Sequence, residues 1–496
     1  MSAFLFKNSV SDSRYWNRLR IREYNVHYII KNYKSNMDGK IRILFYNLDG
    51  AGVNYFRTLT PAMELERNHS DKFYVEINPQ IDFNDPKFID YLKTFHIIHY
   101  HRQFIGDTPT MLRVAAELKK SGTILIVDID DYWVLHRNHP FYAMSKEKQL
   151  HVPIIENLKI ADYVTTTTDV FADEIRKITG KDNVNVFYNS VDPKWMKQFQ
   201  DNWQPDPDGK VRITYMAGSS HMGDIQQLEG VINYLQSSNE TKDKFKIVIA
   251  GWDTEGSTTD VTFNQELRSE LEKMGLWTHQ VVKAINKSKG DVDQIPKLPQ
   301  NIKDKYRGNI FSSQQRDINS EESVYLIYEK ILTDNHHIIQ NPDYLQWLNN
   351  FERNVQYDDE DNFGRRWTKK ANSYAQVLDE TDIVLAPLAD NDFNRMKSNL
   401  KQVECWTRKL PIVCSDIPPY NVDGRHMENC VLIPATKNSH KYWKKYLKYL
   451  ILDADLRKKL GEQLYEDFKE EYNLENVTKK RAEFYKSVVV KGLQIQ

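Results

Sequence analysis

The sequence predicts an α/β protein made of two successive doubly wound domains facing each other across a cleft, with a helical insertion in the second. Three observations predict this. Short, nearly all-apolar runs such as IRILFYNL (41–48) look like parallel strands buried on both faces. Each run leads through a turn into a stretch of helical period, the alternation of a doubly wound sheet. That alternation runs out near NSVDPKW and starts afresh at VRITYMAGS (211–219). A chain of 496 residues is also too long for one ordinary core.

Taken in order, residues 1–38 are aromatic and charged without strand alternation, and read as a helical extension. The first domain, 39–195, places strands at 41–48, FYVEIN (73–78), FHIIHYH (95–101), TILIVDID (123–130), ADYVTTTT (161–168) and VNVFYNSV (184–191). Between them lie helices over TPTMLRVAAELKKSG, closed by Gly122, and DVFADEIRKITG. The second domain, 196–475, opens with VRITYMAGS, a helix over DIQQLEGVINYLQSS and the strand FKIVIAGWD (245–253). Residues 254–365 are polar and weakly periodic. They hold expected helices in VTFNQELRSELEKMGLW and ESVYLIYEKIL, and read as an insertion serving as a lid or binding element. The pattern resumes with a helix over RRWTKKANSYAQVLDE, the strand TDIVLAPL, a helix from about Ser398 over SNLKQVECWTRK, and the strands LPIVCSD and NCVLIPA. Three helices follow: HKYWKKYLKYLIL, ADLRKKLGEQLYEDFKEEY and LENVTKKRAEFYKSVV. Residues 476–496 are expected to cross back to the first domain.

Bulk composition narrows the function classes. Hydrophobic residues make up 40% and charged residues 28%, which is globular. A formal net charge of −1 gives no global basic field for nucleic acid or acidic membrane. The cysteines Cys405, Cys414 and Cys430 have neither CxxC spacing nor an even count, so neither a disulfide framework nor a zinc site is indicated. No apolar run reaches the ~18 residues of a membrane span, and the N-terminus lacks signal-peptide order. A cytoplasmic location is the expectation. Richness in Lys, Asn, Asp and Tyr fits an AT-rich genome, a phage or a low-GC bacterium, so the cytoplasm could be that of a phage host.

Ligands of open α/β sheets sit at the carboxyl ends of the strands, so the loops there carry the candidates. After the first strand, Gly50 and Gly52 let backbone approach a phosphate or sugar, or simply form a tight turn. His101, Asp130 and Asp131 end the third and fourth strands and are the catalytic candidates. They suit contact with sugar hydroxyls and support of an oxocarbenium-like transition state. DIDD also reads as a metal-binding carboxylate cluster or as helix caps, but no metal site is assigned. Ser219 and His221, at a helix start after VRITYMAGS, suit a diphosphate, with Asp224 a simple N-cap. The densest cluster lies between two buried strands: Arg395, Lys397, Ser398, Asn399, Lys401 and Glu404. Cations beside a helix start oppose the helix dipole, which a solvated face does not explain but an anionic diphosphate does.

These residues carry a resemblance. APLADNDFNRMKSNLKQVECWTRKLPIVCSDIPPY (386–420) is similar to the nucleotide-sugar segment of family 4 (group 1) glycosyltransferases, which have the two-Rossmann, GT-B architecture, in a variant reading FNRxKSxLKxxE. Pro387, Phe393, Asn394, Arg395, Lys397, Ser398, Leu400, Lys401, Glu404, Pro411, Val413 and Ser415 fall in place. The glycine loop, ITYMAGSSHMGD and the stretch ending in VFYNSVD, with Asn189 at the hinge, agree more weakly. The resemblance covers most of 40–490 apart from 254–365.

What it implies is transfer of a sugar from a UDP- or GDP-linked donor, with retention and without an obligatory metal or other cofactor. Glu404 matches the second carboxylate of the family's E-x7-E pair, which holds the ribose. Met396 stands where the first would be. DIDD stands where the family has a histidine, so Asp130 or Asp131 is expected to hold a donor-sugar hydroxyl. The family's early Arg/Lys pair is absent from SSHMGD, leaving Arg395, Lys397 and Lys401 to neutralise phosphate. The acceptor stays open among polysaccharide, lipid-linked sugar, protein and modified DNA, with peripheral membrane contact through HKYWKKYLKYL a further option. A catalytically degenerate binding protein, and an epimerase or phosphorylase on the same fold, are the alternatives.

Overall fold

The structure, a computed structural model, describes residues 39–46, 54–77, 86–193 (138 and 140 apart), 206, 209–252, most of 260–314, 328, 331–332, 357–359, 363–367 and 374–495. These residues divide into two compact units. The larger comprises 1–251, 328–334 and 354–496, and the smaller 252–327 and 335–353.

The larger unit contains two sheets. In the first, β1 (Ile41–Tyr46), β2 (Phe73–Ile77), β3 (Ile97–His101), β4 (Ile124–Asp128), β5 (Tyr163–Thr166) and β6 (Val184–Val186) are ordered 2-1-3-4-5-6, all parallel. These are the six apolar runs of the sequence. They read as continuous because helices cover both sheet faces. Helix α1 (Thr60–Asn68) follows β1 through a π-helical turn, Tyr55–Leu59, whose five residues are all buried. Asp107 caps α2 (Thr108–Lys120), and Thr168 caps α3 (Asp169–Thr179), which ends at Gly180 with φ 69°.

The second sheet is built from β7 (Val211–Met216), β8 (Phe245–Trp252) and later strands. Helix α4 (Met222–Ile225) follows β7, and α5 (Val231–Ser237) precedes β8. The expected single helix over DIQQLEGVINYLQSS is therefore two. Glu229 leaves helical geometry and Gly230 takes φ 66°, which breaks the helix between them.

In the smaller unit, β9 (Asp260–Phe263) pairs antiparallel with β10 (Phe311–Gln314), and between them lie α6 (Gln265–Lys273) and α7 (Gln300–Tyr306). Leu267, Leu271, Ile295, Ile302 and Tyr306 share a core of their own. VTF is thus strand rather than the start of a helix, and Asn264 caps α6. The expected helix ESVYLIYEKIL lies mostly outside the described residues, as does 1–38.

The expected helix over RRWTKKANSYAQVLDE is overturned. Its start is a strand, β12 (Phe363–Trp367), paired antiparallel with β11 (Tyr357–Asp359), and its end is a 3-10 turn, Tyr374–Glu380. Arg366 is buried against Glu380 at 3.1 Å, so sheet pairing and an ion pair override helical propensity. The sheet continues with β13 (Ile383–Ala386), α8 (Asp392–Arg395), α9 (Leu400–Trp406), β14 (Ile412–Ser415) and β15 (Val431–Ile433). Its order is 11-12-8-7-13-14-15, parallel from β8 to β15. Helix α9 starts two residues later than expected.

Helix α10 (Ser439–Leu452) buries Trp443, Leu447, Leu450 and Ile451, so HKYWKKYLKYL is a packing helix. Helix α11 (Ala454–Phe468) packs on α9. Helix α12 (Leu474–Ile495) instead lies on the first sheet, with Tyr485 against Phe45 and Phe73 and Phe484 against Tyr163. Among the described residues, no helix is long and apolar enough to cross a membrane.

Candidate functional site

Each sheet has one point where the strand order reverses, and a crevice opens there beyond the strand ends. In the first sheet it falls between β1 and β3, and in the second between β7 and β13. Strand β3 ends at His101, and Arg102 opens the loop after it. The loops after β7 and β13 carry His221 and residues 387–399.

At the first crevice the Nε2 of His101 and Oδ1 of Asp130 are 2.9 Å apart, both side chains 8% exposed. Arg102, in the left-handed region at φ 56°, reaches Asp131 at 2.8 Å and Asp130 at 3.6 Å. Burial pushes the Asp130 carboxyl up, but His101 and then Arg102 and Arg57 outweigh it and hold the carboxyl below its ordinary value. Neither Asp130 nor Asp131 caps a helix. Among the described residues no cluster of three or more His, Cys, Asp or Glu is set to hold a metal.

Beneath this pair lies a fully buried ionic group. Arg57 donates through Nε and Nη2 to the two oxygens of Asp128 at 2.9 and 2.7 Å, to the Phe187 carbonyl at 2.5 Å and to Asn189 Oδ1 at 3.1 Å. Thr165 donates to Asp128 at 2.6 Å. His99 contacts Tyr485 of α12 at 2.9 Å through Nδ1. Burial drives the His99 pKa down to about 3, with Asp128 opposing.

At the second crevice His221 Nδ1 and Asp224 Oδ2 are 2.8 Å apart. Asp224 is not an N-cap: its other oxygen accepts from the Ala389 amide at 2.8 Å and from Asn394 Nδ2 at 2.7 Å, tying α4 to the loop after β13. Tyr328 accepts from the His221 amide and donates to the Gly218 carbonyl. Asn391 caps α8. Arg395, half exposed, is held by Asp390 at 2.5 and 2.8 Å, so its charge is matched locally. The Lys397 ammonium sits 4.9 Å from the centre of the Phe393 ring. Ser398 Oγ accepts from Asn189 Nδ2 at 2.7 Å, and Asn399 donates to the Tyr472 hydroxyl at 2.8 Å. Glu404 is 1% exposed. Its carboxylate accepts from Lys401 at 2.9 Å and from the Tyr374 hydroxyl.

His139, in the loop after β4, packs edge-on against Phe393 at 5.4 Å. Burial and then the Lys397 charge lower its pKa, against the pull of Asp131 and Asp224. Burial and then Lys397 lower that of His221 as well, against Asp224. Lys397, His139, His221, Asp131 and Asp224 therefore share one electrostatic environment, fed by strand ends of both sheets.

Of the residues predicted from sequence, His101 joins Asp130, Asp131 is held by Arg102, and the Lys397 charge acts on His221. Arg395 and the Lys401–Glu404 pair are each engaged with their own neighbours. Gly50 and Gly52 lie outside the described residues. Ser219 opens a 3-10 turn, Ser219–His221. Sequence reasoning passed over His139, Asn394 as a ligand of Asp224, and Tyr374. A histidine beside Pro140 in a loop after a strand was the available signal for the first.

No family model and no curated protein matches the chain. Among solved structures, sucrose-phosphate synthase from Thermosynechococcus elongatus matches over 91% of this chain and 100% of its own, at 10% identity and TM-score 0.52. The fold is the GT-B architecture. HepE of Anabaena in complex with UDP is also similar, over 90% of this chain and 100% of its own, at 11% identity and TM-score 0.48. A third is the UDP-forming α,α-trehalose-phosphate synthase from Burkholderia vietnamiensis, over 87% and 84%, at 10% identity and TM-score 0.44. At these identities the likeness is one of fold.

Proposed function

We propose that this protein is a glycosyltransferase that moves a sugar from a UDP- or GDP-linked donor to an acceptor hydroxyl with retention of configuration. The observation that supports it is the convergence of Lys397 and His139 on the Phe393 ring, in the segment that resembles family 4 enzymes, with the His221–Asp224 pair tied to the same segment through Ala389 and Asn394. In the reaction the bond from the sugar C1 to the diphosphate oxygen breaks, and the diphosphate keeps the electron pair. The acceptor oxygen bonds to C1, and its proton leaves to a phosphate oxygen on the same face. Lys397 and Ser398 face the growing charge on the diphosphate, a task that needs no obligatory metal. His221, aligned by Asp224, serves the same group. Glu404 has two of its ~four acceptor positions taken by Tyr374 and Lys401, and the rest are proposed to hold ribose hydroxyls. Asp130, Asp131 and His101 serve the sugar and acceptor side. The acceptor is proposed among polysaccharide, lipid-linked sugar, protein and modified DNA.

A second reading is a catalytically degenerate binding protein. Met396, standing in place of the family's first glutamate, packs against the core of the first sheet, so no carboxylate is offered there. Calorimetric titration with UDP, GDP, CMP and their common sugars, with and without Mn²⁺, followed by donor hydrolysis, tests both. Saturable binding with hydrolysis supports the transferase, binding without hydrolysis or transfer supports the second reading, and no binding overturns both.

A further inference from the structure

The Asn189 side chain joins the buried ionic group of the first sheet to the motif loop of the second by hydrogen bonds at both ends. It follows β6 and is 4% exposed. Its Oδ1 faces Arg57 Nη1 at 3.1 Å and its Nδ2 faces Ser398 Oγ at 2.7 Å. The amide cannot be reversed. Arg57 has only donors, so a flipped Asn189 would set N–H against N–H. Arg57 in turn cannot turn away, being locked by both oxygens of Asp128 and by the carbonyls of Phe187 and Thr166.

Ser398 Oγ must therefore accept. Its own hydrogen then has to point elsewhere, and no acceptor for it exists among the described residues. From this we infer that Asn189 is a positioning residue, which fixes the Ser398 hydroxyl as an outward hydrogen-bond donor to an anionic oxygen of the nucleotide diphosphate. The inference rests on the glycosyltransferase reading and names a residue on the opposite domain that the nucleotide site depends on.

The test measures UDP and GDP affinity by calorimetry for Ser398→Ala in three backgrounds: native, Asn189→Ala and Asn189→Asp. The aspartate variant keeps an acceptor for Arg57, so the fold survives even if the alanine variant does not. It also turns the Ser398 hydrogen inward, to its own carboxylate. Ser398→Ala is expected to weaken binding about tenfold in the native background, the scale of one charge-assisted hydrogen bond, and to cost nothing further in either variant background. A merely structural role for Asn189 would leave the Ser398→Ala effect the same in all three, and that result overturns the inference alone. So does a native background in which Ser398→Ala costs nothing. A native protein that binds neither nucleotide overturns the functional reading and this inference with it.

Discussion

The Lys397 ammonium lies over the Phe393 ring, with no carboxylate in ion-pair range among the described residues. Arg395 and Lys401, by contrast, have acidic partners. Charge on a departing diphosphate grows toward the transition state, so a cation beside it acts most strongly there. Lys397→Ala is expected to lower donor-hydrolysis kcat by about a hundredfold while changing nucleotide Kd only a few-fold. Equal losses in both would make Lys397 a ground-state contact. Glu404 is a different case, since its buried carboxylate supports Tyr374 and Lys401 as well as any ribose. Glu404→Gln keeps an oxygen for Tyr374 and is expected to weaken nucleoside binding about tenfold with the melting temperature little changed; unchanged affinity would remove the ribose role. His99 makes a prediction about pH. Its pKa is near 3 when folded and about 6.5 when unfolded, so below 6.5 the unfolded chain binds the extra proton. Stability should fall as pH drops from about 6.5 toward 3. His99→Gln should flatten that slope in urea titrations, and an unchanged slope would show that other groups set it.

At the scale of elements, the parallel strands were legible because burial on both faces leaves no polar alternation, and β1 and β13 are nearly continuous apolar runs. The end of α2 was legible too, through Gly122, which follows the Ser121 cap at φ 81°. What misled was local propensity where tertiary pairing decides, as in β12, whose Arg366 is satisfied by Glu380. The site divides the same way. The candidates Lys397, Ser398 and Glu404 stand in one motif, contiguous along the chain. The donors to Asp224 lie 165 and 170 residues away, and no local pattern encodes them. The packing of α11 on α9 was equally illegible. It depends on Gly461, where an added Cβ would lie 1.9 Å from the Lys409 carbonyl oxygen and 2.5 Å from its carbon. Backbone cannot yield there as a side-chain tip could, so Gly461→Ala should cost several kcal/mol, more than the ~1–3 of ordinary overpacking. A urea midpoint within a few tenths molar of the native protein would show that α11 shifts freely.

At the scale of the larger unit, chain order and packing order part at α12. Helix α11 precedes it and packs on α9, which follows β13 of the second sheet, yet α12 lies on the first sheet. There it buries Val477, Ala482, Tyr485, Val488 and Val489. The Tyr485 ring meets Phe45, Phe73 and His99, and its hydroxyl meets His99 Nδ1. Arg481 is buried with its guanidinium 4.8 Å from the Phe187 ring centre. Five apolar side chains at ~1.5–3 kcal/mol for the larger ones sum to about 10 kcal/mol, comparable with the whole stability of a domain. A chain ending at Asn473 should therefore lose the fold of the first domain while the second sheet, with α9, α10 and α11 still in place, keeps its own core. Near-UV circular dichroism, dye binding and hydrogen exchange resolve the two halves. Exchange should rise throughout β1 to β5 and stay slow in β13 and β14. Retained protection across β1 to β5 would mean that the first sheet does not need its cover from the far end of the chain. Loss in both sheets together would mean that the two fold as one cooperative body.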